Sequence, residues 1–308
     1  MVSKPFPTRL VSGQLRAMAV LVSPPDLART YNPQSYEDAW ETVEDYQRIL
    51  EYTGRHPNKG SSAVASNFNL PRGRVHPWMN GSRPAPVRAI QIAEEHEWLP
   101  LSTDDGLFPS FNRLVAWIFS RGSISEAEYA PMFTCHHEDE RERLTGIFDT
   151  LDINYTWYHE ESTDRATEAR ISEHRTIVGR LLFLLGAPLG PREDATTLPT
   201  YLTPPSSAES EESMTTNEVR SHARTFAETY LANTAQYWAW EDGFVVRHED
   251  RSAEYLQSLA RIFEFAADDS PVEVNPDSLF LASSLAKDLC SPLTKKMDTE
   301  TTKPTEQV

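Results

Sequence analysis

Between Ser61 and Pro86 the chain is punctuated so closely by helix starts and stops that only short helices fit there. Ser61 or Ser62 offers an N-cap hydroxyl for a helix over 61–67. Asn69-Leu70 makes a tight turn, and Pro71 suits the first position of the next helix, where its missing N–H costs nothing. Gly81 closes that helix, and Pro84 or Pro86 opens another that runs to about His96. Upstream, Trp40, Val43, Tyr46, Ile49 and Leu50 recur at helical spacing over 36–53. Val64, Ala65, Phe68, Leu70, Val75 and Trp78 have the spacing to pack the two short helices at a steep angle. The segment 36–100 is therefore expected to be a small all-helical unit.

Charge is most informative over the same stretch. The whole chain carries 29 Lys+Arg against 46 Asp+Glu, a formal net charge of -17, and such a surface repels phosphate. Residues 1–100 hold 11 basic and 10 acidic side chains, whereas residues 101–308 hold 18 and 36. No carboxylate falls between Glu51 and Glu94, where Arg55, Lys59, Arg72, Arg74, Arg83 and Arg88 stand with His56 and His76. A carboxylate-free basic window in so acidic a chain marks a surface that meets an anion. The acidity elsewhere, with six lysines against 23 arginines, is like that of proteins from salt-accumulating halophiles. In high salt, phosphate contacts weaken through counterion release, so binding would lean on shape and base contacts.

The residues 63–84, Ala-Val-Ala-Ser-Asn-Phe-Asn-Leu-Pro-Arg-Gly-Arg-Val-His-Pro-Trp-Met-Asn-Gly-Ser-Arg-Pro, resemble the phage-repressor type of helix-turn-helix. That resemblance implies a recognition helix whose first turn meets base edges in the major groove of double-stranded DNA. It places Arg72, Gly73, Arg74 and His76 at the groove, where an arginine fork suits guanine O6 and N7. Asn80, Ser82, Arg83 and Lys59 fall near the backbone, and Ser61 and Ser62 offer a helix N-terminus to a phosphate. Pro77 departs from a regular recognition helix. It removes one hydrogen bond, so the helix is expected to be kinked or only two turns long.

Beyond a short linker over 101–106, residues 107–202 alternate between helical and strand-like patterns. Helices are expected over 107–120, 138–151 and 176–185, and strands after Gly122 and over 129–137, 153–159 and 167–172. This αββαββα order, with the first helix running into Gly122-Ser123-Ile124 and the last into Leu185-Gly186-Ala187-Pro188, resembles the LAGLIDADG homing-endonuclease fold. A weaker second copy follows over 217–290: helices at 219–232, 252–266 and 283–289, with single strands at 237–248 and 272–274. The expected fold class is thus α+β, an N-terminal helix-turn-helix domain followed by one or two LAGLIDADG-like repeats. The combination is similar to that of WhiA-type regulators, in the opposite order.

In active members of the homing-endonuclease family an Asp or Glu just before the glycine holds divalent metal for phosphodiester hydrolysis. Here that position is Arg121, and the second copy ends its helix at Ala232-Asn233-Thr234-Ala235. The resemblance therefore implies a nuclease fold without catalytic residues, metal or cofactor. Two other readings stay open: an endonuclease using Glu241 or Asp242, and a protein-interaction module using the basic face. The net charge of -18 over 101–308 counts against DNA contact there, and suits self-association or a protein partner.

The remaining features are less specific. Cys135 and Cys290 have no metal-ligand spacing. No apolar run reaches membrane-spanning length, and 10–22 does not read as a signal peptide, so a cytoplasmic location is expected. Residues 1–35 read as a flexible arm, 203–216 as a linker and 291–308 as a disordered tail. His136-His137-Glu138-Asp139-Glu140 reads as a helix cap rather than a metal cluster. Tyr155, Trp157, Tyr158, Tyr237, Trp238 and Trp240 have strand spacing that suits packing as well as base stacking.

Overall fold

The computed structural model describes residues 20–32, 37–162, 164–191, 196–203, 215–248 and 251–293. Among them the chain is α+β, with eleven α-helices and ten strands, and every strand pair is antiparallel.

The N-terminal part holds β1 (Val20–Val22), α1 (Pro24–Arg29), α2 (Ala39–Arg55), α3 (Ser61–Phe68), α4 (Arg72–Met79), α5 (Ala85–Glu95) and β2 (Leu101–Ser102). Asp38 caps α2, its Oδ1 accepting from the Trp40 N–H at 2.9 Å. Asn69, at φ 53, ends α3 in the left-handed conformation. Gly81, at φ +91, follows α4 where a side chain would be strained. Val43, Tyr46, Ile49, Val64, Ala65, Val75 and Trp78 are buried together, and the Tyr46 ring meets Trp78 edge-on at 5.7 Å.

Several boundaries differ from expectation. Residues 20–32 are no mobile arm: Val22, Leu27 and Ala28 are fully buried, and β1 pairs with β2. Apolar residues in this stretch bury surface that a free arm would leave in water. The same pairing makes 101–102 a strand rather than a linker. The rest of the expected arm, 1–19 and 33–35, lies outside the described residues, as does residue 36 of the expected helical unit. Gly60, not Ser61 or Ser62, is the N-cap of α3, and Pro71 precedes α4 instead of opening it. Pro77 sits inside α4, which closes after eight residues, little more than two turns.

Next come α6 (Phe108–Arg121), β3 (Gly122–Ile124), β4 (Pro131–Cys135), α7 (Glu138–Thr150), β5 (Tyr155–Tyr158), β6 (Thr167–Ile171) and α8 (Arg175–Leu184). The same order then recurs in α9 (Thr216–Thr234), β7 (Gln236–Trp238), β8 (Gly243–Arg247), α10 (Ala253–Ala266), β9 (Glu273–Asn275), β10 (Ser278–Ala282) and α11 (Ser283–Leu289). The two four-stranded sheets share one topology, β3-β4-β6-β5 and β7-β8-β10-β9. The second half is more complete than the sequence pattern indicates. The expected single strand over 237–248 is a hairpin turning at 239–242, and β10 adds a strand that the pattern did not disclose. Of the expected linker, 204–214 lies outside the described residues, and Thr215 caps α9. Of the expected tail, 294–308 lies outside them, while Leu293 is buried.

Helices α6 and α9 form the centre. Eleven of the fourteen residues of α6 are buried, as befits a helix enclosed on all sides. The two run side by side in the same direction. Near their starts Asn112 donates to the His222 carbonyl at 2.9 Å, and at their ends Asn233 donates to the Ser120 hydroxyl at 3.0 Å. Both buried asparagines thus find a partner on the opposing helix.

The N-terminal part is continuous with this core. The Arg180 guanidinium of α8 lies between two rings, 3.9 Å from Tyr31 and 4.0 Å from Tyr129, and donates to the Thr30 carbonyl. Burial raises the Tyr31 pKa above its ordinary value, against the opposing charge of Arg180. Trp98 donates to the Leu151 carbonyl at 2.9 Å and meets Phe111 of α6 edge-on at 6.4 Å.

Candidate nucleic-acid interface

Helices α3 and α4 pack on each other and on α2. Their buried faces are apolar, Val64 and Ala65 against Val75 and Trp78. Helical periodicity then turns the polar residues outward. Arg72, Gly73 and His76 are exposed, Arg74 is half-buried, and neither helix has an acid in its first turn. Arg72 donates through Nε to the Ser61 hydroxyl at 3.3 Å, which joins the starts of the two helices. Lys59 and Ser62 are exposed beside that junction. Gly73 faces open space, with nothing within 4 Å of where a Cβ would stand. Arg72, Gly73, Arg74, Lys59, Ser61 and Ser62 thus share one end of the helix pair.

The other sequence-predicted residues lie at the opposite end of α4, about 12 Å along its axis at 1.5 Å per residue. Asn80 is the residue after α4, and its side chain donates to the His76 carbonyl at 2.8 Å. Ser82 and Arg83 are exposed, and Arg83 donates to Gln91 Oε1 at 2.8 Å. The predicted set therefore flanks α4 at both ends and presents arginine, histidine, hydroxyl and amide groups with no carboxylate among them. Such a surface can donate to phosphates and to base acceptors.

A second concave surface lies where α6 and α9 end. A cleft of about 440 Å³ is lined there by Ser120, Arg121, His136, Thr234, Arg247 and His248 among others, and none of its described lining residues is acidic. Arg121 stands where a metal-holding carboxylate was sought, and Thr234 holds the matching place on α9. Arg121 Nη1 donates to both oxygens of Glu140, at 3.0 and 3.1 Å. Glu140 is buried and also accepts from the His136 N–H at 2.7 Å and the His137 N–H at 3.4 Å. The run 136–140 is thus the cap of α7, with Glu138, Asp139 and Glu140 in its first turn. Among the described residues no group of three or more His, Cys, Asp or Glu side chains could hold a metal ion.

The alternative acids do not reach this cleft. Asp242 sits in the β7–β8 turn at φ 46, accepting from Ser283 Oγ at 2.9 Å and Tyr237 Oη at 3.2 Å. The neighbouring thiol of Cys135 is pushed up to about 12, by burial first and then by the charge of Glu140. A thiol so disfavoured as thiolate is no nucleophile.

The strands β3 to β10 contain only two acids, Glu168 and Glu273, beside Arg170 and Arg247. Alternation along the strands turns Arg170 and Tyr158 outward on one sheet and Arg247 and Trp238 outward on the other. Each guanidinium covers the aromatic ring beside it: Arg170 at 4.7 Å from Tyr158, Arg247 at 5.6 Å from Trp238. Tyr155 and Trp157 face the other way, toward α7, with Tyr155 at 4.8 Å from Phe148. Trp240, in the β7–β8 turn, is 92% exposed. The pairing of Arg170 and Arg247 with aromatics was missed in the sequence. Its signal was present, since residues alternating with Ala169 and Val246 must point outward.

A scan against protein-family models and a search of curated proteins both give no match to this chain. No described helix is long and apolar enough to cross a membrane.

Proposed function

We propose that this chain is a sequence-specific DNA-binding protein, a transcriptional regulator in which α3 and α4 act as a helix-turn-helix. One observation carries the reading: the exposed start of α4, with Arg72 joined to Ser61 and Arg74 beside it, is basic and carboxylate-free in a chain of net charge -17. Charge scarcity of that kind is what a phosphate-facing surface requires. Arg72, Arg74 and His76 read bases, while Lys59, Asn80, Ser82 and Arg83 hold the backbone.

The repeated αββαββα order, the shared sheet topology and the central α6–α9 pair support reading the rest as two LAGLIDADG-type repeats. Arg121 and Thr234 at the helix ends support a module without hydrolytic activity, since neither side chain replaces a carboxylate as a magnesium ligand. Selection of bound sequences from a random duplex pool tests the function. A reproducible consensus, bound but left uncut in magnesium, is the expected result. Absence of any preferred sequence contradicts sequence-specific binding, and discrete cuts contradict the inert module.

A further inference from the structure

We infer that a side pocket between α6, α7 and α9 binds a small zwitterion of the α-amino-acid class, its carboxylate toward Arg113 and its ammonium toward Glu228. The pocket is independent of the DNA-binding reading of α4. It holds about 310 Å³, at the small end of the range of about 300–1,000 Å³ common for ligand sites, and so suits one small molecule. Helical spacing builds two of its walls. Ser110, Arg113 and Trp117 share one face of α6, while Arg143, Gly146, Ile147 and Thr150 share one face of α7. Glu228 and Thr229 of α9 supply the third wall, and Pro292 also lines the space.

Two charges of opposite sign are left over in this pocket. Arg113 is half-buried, yet among the described residues its guanidinium meets neither a carboxylate nor a hydrogen-bond acceptor. Elsewhere on the same core Arg175, Arg220 and Arg224 each meet a carboxylate within 3.1 Å. The carboxylate of Glu228, also half-buried, is likewise unpaired among the described residues. Asn112 is level with His222 and Ser120 with Asn233, so Glu228 stands about one helical turn beyond Arg113. At that spacing the two charges do not close on each other. A half-buried charge without a partner costs stability, and a ligand carrying the complementary pair relieves both. A simple anion would satisfy Arg113 and leave Glu228 facing it. Arg143, by contrast, is already held: Asp139 lies 3.7 Å away, Asn233 Oδ1 accepts from it at 3.3 Å, and it covers the Trp117 ring at 5.6 Å. Ile147, Pro292 and the gap at Gly146 leave room for a small apolar side chain. Nothing lies within 4 Å of where a Gly146 Cβ would stand, so packing does not demand this glycine. In mid-helix it weakens α7, and what it preserves is open space in the pocket wall.

Calorimetric titration of the full chain with the L-amino acids, one at a time, tests this. The wild type is expected to bind one or a few with small apolar side chains, saturably and one to one. Arg113→Ala is expected to weaken that binding about tenfold or more, as loss of a charged hydrogen-bond partner does. Glu228→Gln is expected to weaken it to a similar degree, while leaving unchanged the weaker binding of the matching carboxylic acid, which lacks the ammonium. Gly146→Leu fills the pocket and is expected to abolish binding, with circular dichroism showing the helices intact. Absence of binding by every amino acid overturns the inference. Undiminished binding by Arg113→Ala or by Gly146→Leu also overturns it, since the ligand would then sit elsewhere. Equal affinity for the amino acid and its deaminated carboxylic acid overturns the zwitterion. Should Gly146→Leu fail to fold, Arg113→Ala decides the question. None of these outcomes bears on α4, whose duplex selection stands or falls by itself.

Discussion

Arg121 and Glu140 form an ion pair in which two hydrogen bonds from one guanidinium nitrogen close over a fully buried carboxylate. The pair joins the end of α6 to the cap of α7. Arg121 stands at the end of α6, one of the two positions at which the homing-endonuclease resemblance would put a metal-holding carboxylate. Arg121→Ala removes the charged partner of Glu140 but leaves its backbone donors at 136 and 137. The expected loss is about 1–3 kcal/mol of stability, read from the urea midpoint. Glu140→Gln with Arg121→Ala is expected to recover part of it, because no buried charge remains.

The approach of α8 to the β3–β4 connection depends on Gly179. A Cβ there would stand 1.8 Å from the Tyr129 carbonyl oxygen, and backbone gives way less readily than a side chain. Gly179→Ala is expected to destabilise the chain by about 3 kcal/mol, at the upper end for overpacking. Gly146→Ala serves as its control. It lies in α7 with nothing within 4 Å of the added atom, and is expected to be neutral or to stabilise by up to about 1 kcal/mol. Denaturant midpoints of both variants decide the point.

His222 of α9 packs edge-on to Phe108 at 4.8 Å, and burial lowers its pKa below the ordinary value despite Glu218 and Asp104. Its folded form resists protonation more than the unfolded form does. The unfolded state therefore binds more protons as pH falls below about 6.5. Stability contributed by neutral His222 is present above that pH and is lost as the pH falls through the depressed folded value. His222→Gln is expected to flatten the melting temperature between pH 7 and 5. An unchanged slope would exclude His222 as its source.

Backbone and base contacts separate by salt. Lys59→Ala and Arg83→Ala are each expected to weaken binding about equally for all duplexes and to reduce the slope of log affinity against log salt by about one. Mobility shifts across a salt series measure this directly. A slope that stays fixed would remove the residue from the phosphate-contacting set.

Much of this fold was legible in the sequence because its helices have strong periodicity and unambiguous stops. Helix α11 falls on the expected residues, and α5, α7 and α8 within one or two. The strands of the second half were harder to separate, since the apolar and aromatic run 237–240 carries on from β7 into the turn at 239–242 without a break. Only Asp242 at positive φ and Gly243 break the hairpin. Residues 20–32 were misread because their Pro, Ser and Asn content resembles a loop, whereas Val22 and Leu27 are buried by partners far along the chain. The basic window was visible as composition. The cleft was not, because Arg121 and His136 lie more than a hundred residues from Arg247 and His248 and meet them only through the packing of α6 on α9.

The central claim is that the start of α4 reads DNA sequence, and binding of Arg74→Ala to the selected consensus and to a scrambled duplex tests it most directly. The account predicts a loss of about 1–3 kcal/mol on the consensus, a much smaller loss on the scrambled duplex, and relaxed preference at one or two positions. Equal affinity of wild type and variant for the consensus, with the fold intact, would contradict it.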